Sequence, residues 1–280
     1  MSVQGRARVE ASLSGLLAEI LEATRRDLAA KRERRPMSEI ERESRDRVPR
    51  GDRFAAEISR SGRTNVIAEC KRRSPSRGVL RAAYEPSSIA HSYQSAGAVA
   101  VSVLTEPRFF DGALEHLAAV RQAVGVPVLR KDFIVDEYQL LEARAAGADA
   151  VLLISAALSE RELKGLLAQT RRLGMEALVE VHDGEDLRRA IDAGATLIGV
   201  NNRDLRTLKV DLATSWRLIE RIPPGAIAVA ESGIRSRDDL VRLSGQGFRA
   251  FLVGERLMAS RDPGLALREL LRGSDHTRCG

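Results

Sequence analysis

From about residue 60 onward the chain repeats one pattern. A short apolar run rich in β-branched residues is followed by a stretch with apolar positions at helical spacing that ends in glycine. The runs fall at Asn65–Cys70, Ala98–Leu104, Val126–Arg130, Ala148–Ile154, Glu176–Val181, Thr196–Val200, Ala226–Ala230 and Arg249–Val253, each about one βα unit from the next. Their near-continuous apolar character predicts strands covered on both faces, as in a parallel sheet. Between them, Ala96-Gly97-Ala98, Ala146-Gly147-Ala148 and Ala193-Gly194-Ala195 place glycine at a helix C-terminus just ahead of a strand. Ser159 with Glu162, and Ser236 with Asp239, have the spacing of helix N-terminal capping boxes. Eight alternating units predict an α/β fold, a closed (β/α)8 TIM barrel. The doubly wound open sheet is disfavoured because no GxGxxG follows the first strand.

Leu13, Leu16, Leu17, Ile20 and Leu21 recur at helical spacing ahead of the repeat. They predict an amphipathic helix in an N-terminal extension over residues 1–60, with the barrel over 61–272 and a polar, disordered tail over 273–280. The extension is either a lid across one end of the barrel or a cap beneath its floor. Residues 23–53 hold eleven Arg or Lys against seven Asp or Glu, a large part of the net charge of +6. A solvated helix with i,i+4 ion pairs accounts for this stretch most simply, with attraction of a small anionic substrate as an alternative. Nucleic-acid binding is disfavoured, since neither interleaved aromatics nor a binding motif accompanies the charge.

Apolar residues make up 44% of the chain and charged residues 30%, which excludes disorder and suits a large core. No apolar run reaches the ~18–20 residues of a membrane span, and the N-terminus lacks the apolar region of a signal peptide. The two cysteines, Cys70 and Cys279, exclude a disulfide framework and fit a reducing, cytoplasmic location.

In a barrel of this kind the chemistry sits at the C-terminal ends of the strands. Those ends read Glu69 and Lys71; Thr105-Glu106; Lys131-Asp132-Phe133; Ser155; Glu180 and His182; Asn201-Asn202-Arg203; Glu231-Ser232-Gly233; and Gly254-Glu255-Arg256. One polar strand end is trivial, whereas six at one mouth point to a catalytic site over a structural ion-pair network. Ser232-Gly233 and Gly254-Glu255 follow the last two strands, where barrels often bind phosphate through backbone N–H groups; Ser74 in Ser74-Pro75-Ser76 adds a further hydroxyl. Either pair alone is an ordinary turn. Lys71 and Lys131 suit a nucleophile or an acid. The carboxylates beside them in sequence, Glu69 and Asp132, would favour the ammonium and so a proton donor.

These segments resemble a known family. Ile67-Ala-Glu-Cys-Lys-Arg-Arg-Ser-Pro-Ser76, Val128-Leu-Arg-Lys-Asp-Phe133, Leu178-Val-Glu-Val-His182, Ile198-Gly-Val-Asn-Asn-Arg-Asp-Leu205 and Ala230-Glu-Ser-Gly-Ile234 are similar to the signature segments of indole-3-glycerol phosphate synthase, in order, across about residues 10 to 272. The resemblance implies a carboxy-lyase of tryptophan biosynthesis acting on 1-(2-carboxyphenylamino)-1-deoxyribulose 5-phosphate, with neither cofactor nor metal. It implies a monomer or weak homo-oligomer whose partner is that small phosphorylated substrate, not nucleic acid or membrane. Carried over by position, Lys131 matches the general acid of ring closure, and Lys71 the lysine that engages the substrate carboxylate and later proton transfers. Glu180 matches the base of dehydration, with Glu69 and Asn201 orienting hydroxyls. Arg203 and Glu231 match substrate-binding positions; Phe110, Phe133, Leu152, Ile154 and Leu205 match the aryl slot; Ser232 matches the phosphate site. His182 is expected to pack behind the site.

One position departs from the pattern. Many relatives carry Ser or Thr after the glycine at 254, where this chain has Glu255. A carboxylate pointed at phosphate is repelled, so Glu255 is expected to turn outward while its N–H donates. Two other readings stay open: another phosphate-binding barrel such as phosphoribosylanthranilate isomerase, which needs a thiol and a carboxylate, and a non-catalytic binder of a phosphorylated ligand. Cys70, one residue before Lys71, is expected to face away from it.

Overall fold

The computed structural model describes residues 15–272. Leu13 and the tail over 273–280 lie outside them. Eight strands form the barrel: β1 (Asn65–Cys70), β2 (Ala100–Leu104), β3 (Val128–Lys131), β4 (Ala150–Ile154), β5 (Glu176–Val181), β6 (Leu197–Asn201), β7 (Ile227–Glu231) and β8 (Ala250–Val253). All pair in parallel with their sequence neighbours, and β1 closes the ring on β8 through Asn65↔Ala250. The (β/α)8 barrel predicted from the repeat is therefore present.

Strand bounds differ from the apolar runs in one informative way. Strands β3, β6 and β7 each take in one polar residue beyond the run: Lys131, Asn201 and Glu231. The ladder continues there, with Leu104 opposite Lys131 and Asn201 opposite Glu231. Backbone pairing outlasts the hydrophobic pattern, so these side chains stand on rigid strand rather than on loop.

The helices begin and end where the sequence marks them. Gly97 and Gly194 adopt φ of 104° and 85°, left-handed values that end a helix at little cost for glycine. Both capping boxes form, Ser159 with Glu162 and Ser236 with Asp239.

Among the described residues the extension forms three helices, α1 (Gly15–Arg34), α2 (Met37–Arg45) and α3 (Gly51–Ser59). It reaches both ends of the barrel, so lid and floor are not exclusive. Leu17, Ile20 and Leu21 of α1 are buried, and Leu16, Leu17 and Ile20 face the cavity at the strands' C-terminal ends. Further along, Leu28 and Ile40 pack on Tyr138 and Leu141 of the helix Glu137–Ala145. At the opposite end, the Arg50 N–H donates to Asp149 at 2.9 Å, just ahead of β4, and the Gly51 N–H donates to the Gly174 carbonyl at 3.2 Å. A Cβ on Gly51 would lie 2.7 Å from the Glu176 nitrogen, so the chain can meet the floor this closely only as glycine.

The basic stretch also does more than solvate a helix. Arg35 and Glu39 form an i,i+4 pair at 3.2 Å. Lys31–Glu142 at 3.0 Å, Arg32–Asp136 at 2.5 Å and Arg108–Asp27 at 2.5 Å instead tie the extension to the barrel. Among the described residues no helix is long and apolar enough to cross a membrane.

Candidate active site

Alternate strands build the centre of the barrel mouth. Glu69 comes from β1, Lys131 from β3, Glu180 from β5 and Glu231 from β7, all at or one residue from the strand's end. This is how barrel layers are made, four side chains from every second strand, except that here the layer is charged. Two intervening strands make room for it. A Cβ on Gly199 of β6 would lie 2.1 Å from Glu231 Oε1, and a Cβ on Gly254, just past β8, would lie 2.2 Å from Glu69 Oε1. These glycines leave space for carboxylates.

Lys131 Nζ sits 2.9 Å from Glu180 Oε2 and 3.2 Å from Glu231 Oε2. Burial works against its charged form, but Glu180, Glu231 and Glu69 outweigh it and hold the ammonium well above the usual lysine range. Burial pushes the Glu231 carboxyl up to about 8, with Lys131 opposing and Glu180 reinforcing the shift. Glu180 goes the other way. Burial would raise it, yet Lys131 and His182 hold it below the usual carboxylate range. Two facing carboxyls with pKa values driven apart are the usual sign of an acid and a base at work. Lys71 Nζ pairs with Glu69 Oε1 at 2.5 Å.

The partner expected for Lys131 from sequence is corrected here. Asp132 turns to Arg130, whose Nη2 lies 2.9 Å from Asp132 Oδ2 and 3.2 Å from Glu142 Oε2 on the outer face of β3, and it accepts from Thr105 Oγ1 at 2.5 Å. Strand alternation sends neighbours to opposite faces, so the carboxylates that reach Lys131 come from other strands. Not every polar strand end joins the site. Glu106 accepts the N–H groups of Arg108, Phe109 and Phe110, fixing the short helix Pro107–Phe110, and Ser155 donates to the Asp186 carbonyl at 3.1 Å.

The cavity encloses about 720 Å³. Glu69, Lys71, Lys131, Glu180, Glu231 and Asn201 line its middle. Its apolar lining includes Phe110, Phe133, Leu152, Ile154 and Leu205, with Leu104 and with Leu16, Leu17 and Ile20 of α1. The rings of Phe110 and Phe133 lie 6.1 Å apart, tilted by 36°. The lining also includes Ser74, Ser232, Gly233, Gly254 and Glu255, together with Arg77, Arg203, Arg235 and Arg256. Arg77 and Arg235 were not nominated from sequence; their signal is weak, each lying a few residues beyond a Ser or Gly that was.

Ser232 and Gly233 both have positive φ, 63° and 83°. Asn202 holds this turn, donating from Nδ2 to the carbonyls of Glu231 (2.9 Å) and Ser232 (3.2 Å) while accepting from Ser215. Glu255 does not turn outward. Its Oε2 lies 2.9 Å from Arg203 Nη2 and its Oε1 lies 3.1 Å from Arg77 Nε. Sequence reasoning weighed repulsion by a phosphate and missed the two guanidinium groups that draw the carboxylate inward. Among the described residues no group of three His, Cys, Asp or Glu side chains could hold a metal ion.

Residues 17–270 match the family described as indole-3-glycerol phosphate synthase. The chain belongs to that family. It is 47% identical over 259 residues to the indole-3-glycerol phosphate synthase of Koribacter versatilis, covering 92% of this chain and 100% of that protein. Against the indole-3-glycerol phosphate synthase of Sulfurimonas denitrificans it is 56% identical over 210 residues, 75% of this chain and 80% of that one. A solved structure of thiamine phosphate pyrophosphorylase from Pyrococcus furiosus superposes with a TM-score of 0.55 at 17% identity, over 74% of this chain and 93% of that one. That likeness is one of fold alone.

Proposed function

We propose that this chain, a member of the indole-3-glycerol phosphate synthase family of lyases, closes the ring of 1-(2-carboxyphenylamino)-1-deoxyribulose 5-phosphate and releases CO2 and water. The observation that carries the reading is the position of Lys131. Its ammonium is clamped by Glu180 and Glu231 in a cavity lined also by the paired rings of Phe110 and Phe133 and by four arginines. The arginines and the Ser232-Gly233 turn take the phosphate. Phe110, Phe133, Leu152, Ile154 and Leu205 take the aryl ring, and the ketose carbonyl then lies at Lys131.

As the aryl carbon bearing the carboxylate bonds to the carbonyl carbon, Lys131 Nζ gives a proton to the carbonyl oxygen. The bond to the carboxylate then breaks, CO2 leaves, and its electron pair restores the aromatic ring. Lys71, steadied by Glu69, holds that carboxylate before it departs. Loss of water needs an acid on the departing hydroxyl and a base for the proton released, roles that suit a lysine and Glu180, with Asn201 and Glu69 orienting the hydroxyls.

The isomerase alternative needs a thiol at the site. Cys70 instead points outward, its Sγ 3.9 Å from the Pro86 carbonyl oxygen, and burial pushes the thiol far up. A pure binder has no use for two lysines set among three carboxylates. Mixing the protein with the carboxyphenylamino substrate and following indole absorbance tests the reading; no indole under conditions where the substrate binds would overturn it.

A further inference from the structure

His182 stands two residues beyond Glu180, and the steps above do not use it. Its ring is buried between two carboxylates, with Nε2 3.3 Å from Glu180 Oε1 and Nδ1 3.5 Å from Asp186 Oδ2. Asp186 belongs to the helix Gly184–Asp192 that starts directly after β5; it also accepts the His182 backbone N–H at 3.1 Å and lies 4.0 Å from Arg189. Glu180 therefore meets a positive partner at each oxygen, Lys131 at Oε2 and the imidazole at Oε1. Glu231, facing it from β7, has one ion pair among the described residues, with Lys131. Glu69 and Lys71 complete the charged groups around the pair from β1.

Two buried carboxyls this close cannot both ionise freely, and the asymmetry of their partners decides which keeps the proton. We propose that His182, held by Asp186, is a positioning residue that keeps Glu180 as the ionised, proton-accepting carboxylate and leaves the shared proton on Glu231. Contacts to both carboxylates raise the imidazole to about 10 against the effect of burial, so it is charged across the working range. This inference rests on the reading of Glu180 as a base.

The test uses the full chain with His182→Gln and Asp186→Asn, measuring kcat and KM by indole absorbance from about pH 5 to pH 9. Without the imidazolium, Glu180 should protonate more readily. The acid limb of kcat, which starts below the usual carboxylate range, should then move up by about two pH units or more and into the measured window, lowering turnover at about pH 5 roughly ten-fold, with turnover near wild type at about pH 8 and KM within about two-fold. Asp186→Asn should move the limb in the same direction by less. A purely structural role would scale the whole profile down and leave its limbs in place, and that result would overturn the proposal. Should His182→Gln fail to fold, two readings remain decisive: the Asp186→Asn profile, and the ring-nitrogen NMR resonances of His182 in the wild type. A neutral ring at about pH 8 would refute the assignment. Absence of wild-type turnover would instead overturn the function, and the ring-nitrogen measurement, made without substrate, separates the two failures.

Discussion

Replacing Lys131 by methionine removes the ammonium and keeps most of the length of the side chain. Among the described residues the lysine is the one cation that meets both Glu180 (2.9 Å) and Glu231 (3.2 Å). At an effective dielectric of about 20, the contact with the ionised Glu180 is worth roughly 5–6 kcal/mol before desolvation is subtracted. The net cost to the fold is much smaller. Glu231, pushed up to about 8 by burial, is already protonated near neutrality, and Glu180 keeps His182. The variant should therefore fold, with a stability loss of about 1–3 kcal/mol.

Catalysis should suffer more, because a general acid contributes about 10²–10⁴ in rate, or roughly 3–5 kcal/mol of barrier. Lys71 is the alternative donor, but its ammonium is tied to Glu69 at 2.5 Å. Steady-state indole absorbance should show kcat down by that factor with KM within about three-fold, since the arginine wall and the aryl slot are untouched. Lys131→Arg sharpens the test: it preserves the charge but replaces the compact ammonium with a longer planar fork that cannot present a proton at the same point, so its kcat should stay low. A methionine variant within ten-fold of wild-type kcat would remove Lys131 from the proton transfer.

Three further outcomes follow from the geometry. Deleting residues 1–45 leaves α3 on the barrel floor, so circular dichroism should show a folded barrel, while loss of the Leu16, Leu17 and Ile20 wall raises KM at least about ten-fold; an unfolded product would make the extension a structural requirement and not a lid. Glu255→Gln keeps an acceptor for Arg77 and Arg203 but removes a charge beside the proposed phosphate position, and calorimetry should show inorganic phosphate binding tightened about five-fold. Weaker binding would mean that the carboxylate's charge is needed to organise the arginines. Glu231 is protonated below about 8 and ionises above it, where its charge holds the Lys131 proton more tightly, so kcat/KM should fall above that pH and Glu231→Gln should lose this limb. Its folded pKa is raised from 4.5, so its stabilising contribution is complete below 4.5 and lost as pH rises through 8.

The barrel was legible because eight apolar runs and glycine-ended helices state it several times over. The site was legible for a related reason: barrel chemistry gathers at strand ends, and Glu69, Lys131, Glu180 and Glu231 stand there in sequence. What could not be read was which side chains meet. Asp132 lies next to Lys131 in the chain yet serves Arg130, because adjacent strand residues face opposite ways. The direction of Glu255 depends on Arg203 and Arg77, which are brought to it from other loops. Gly199 and Gly254 carry no chemistry of their own, and their purpose shows only when the carboxylates filling the space are placed. Both ends of the barrel claim part of the extension, an arrangement that no periodicity within α1 could reveal.

Lys131 and Glu180 touch across the middle of the chain, while Glu69 and Gly254 touch across its two ends. No short contiguous stretch of the chain holds the charged layer, whose members run from Glu69 to Glu231. A chain cut between β4 and β5 would carry Lys131 on one piece and its carboxylate partners Glu180 and Glu231 on the other. Turnover would then appear only when the pieces reassemble in register, giving the scaffold the properties of a two-part reporter. By the same wiring, the charged layer is complete only in a chain that reaches β7, and the barrel closes around it only when β8 pairs with β1.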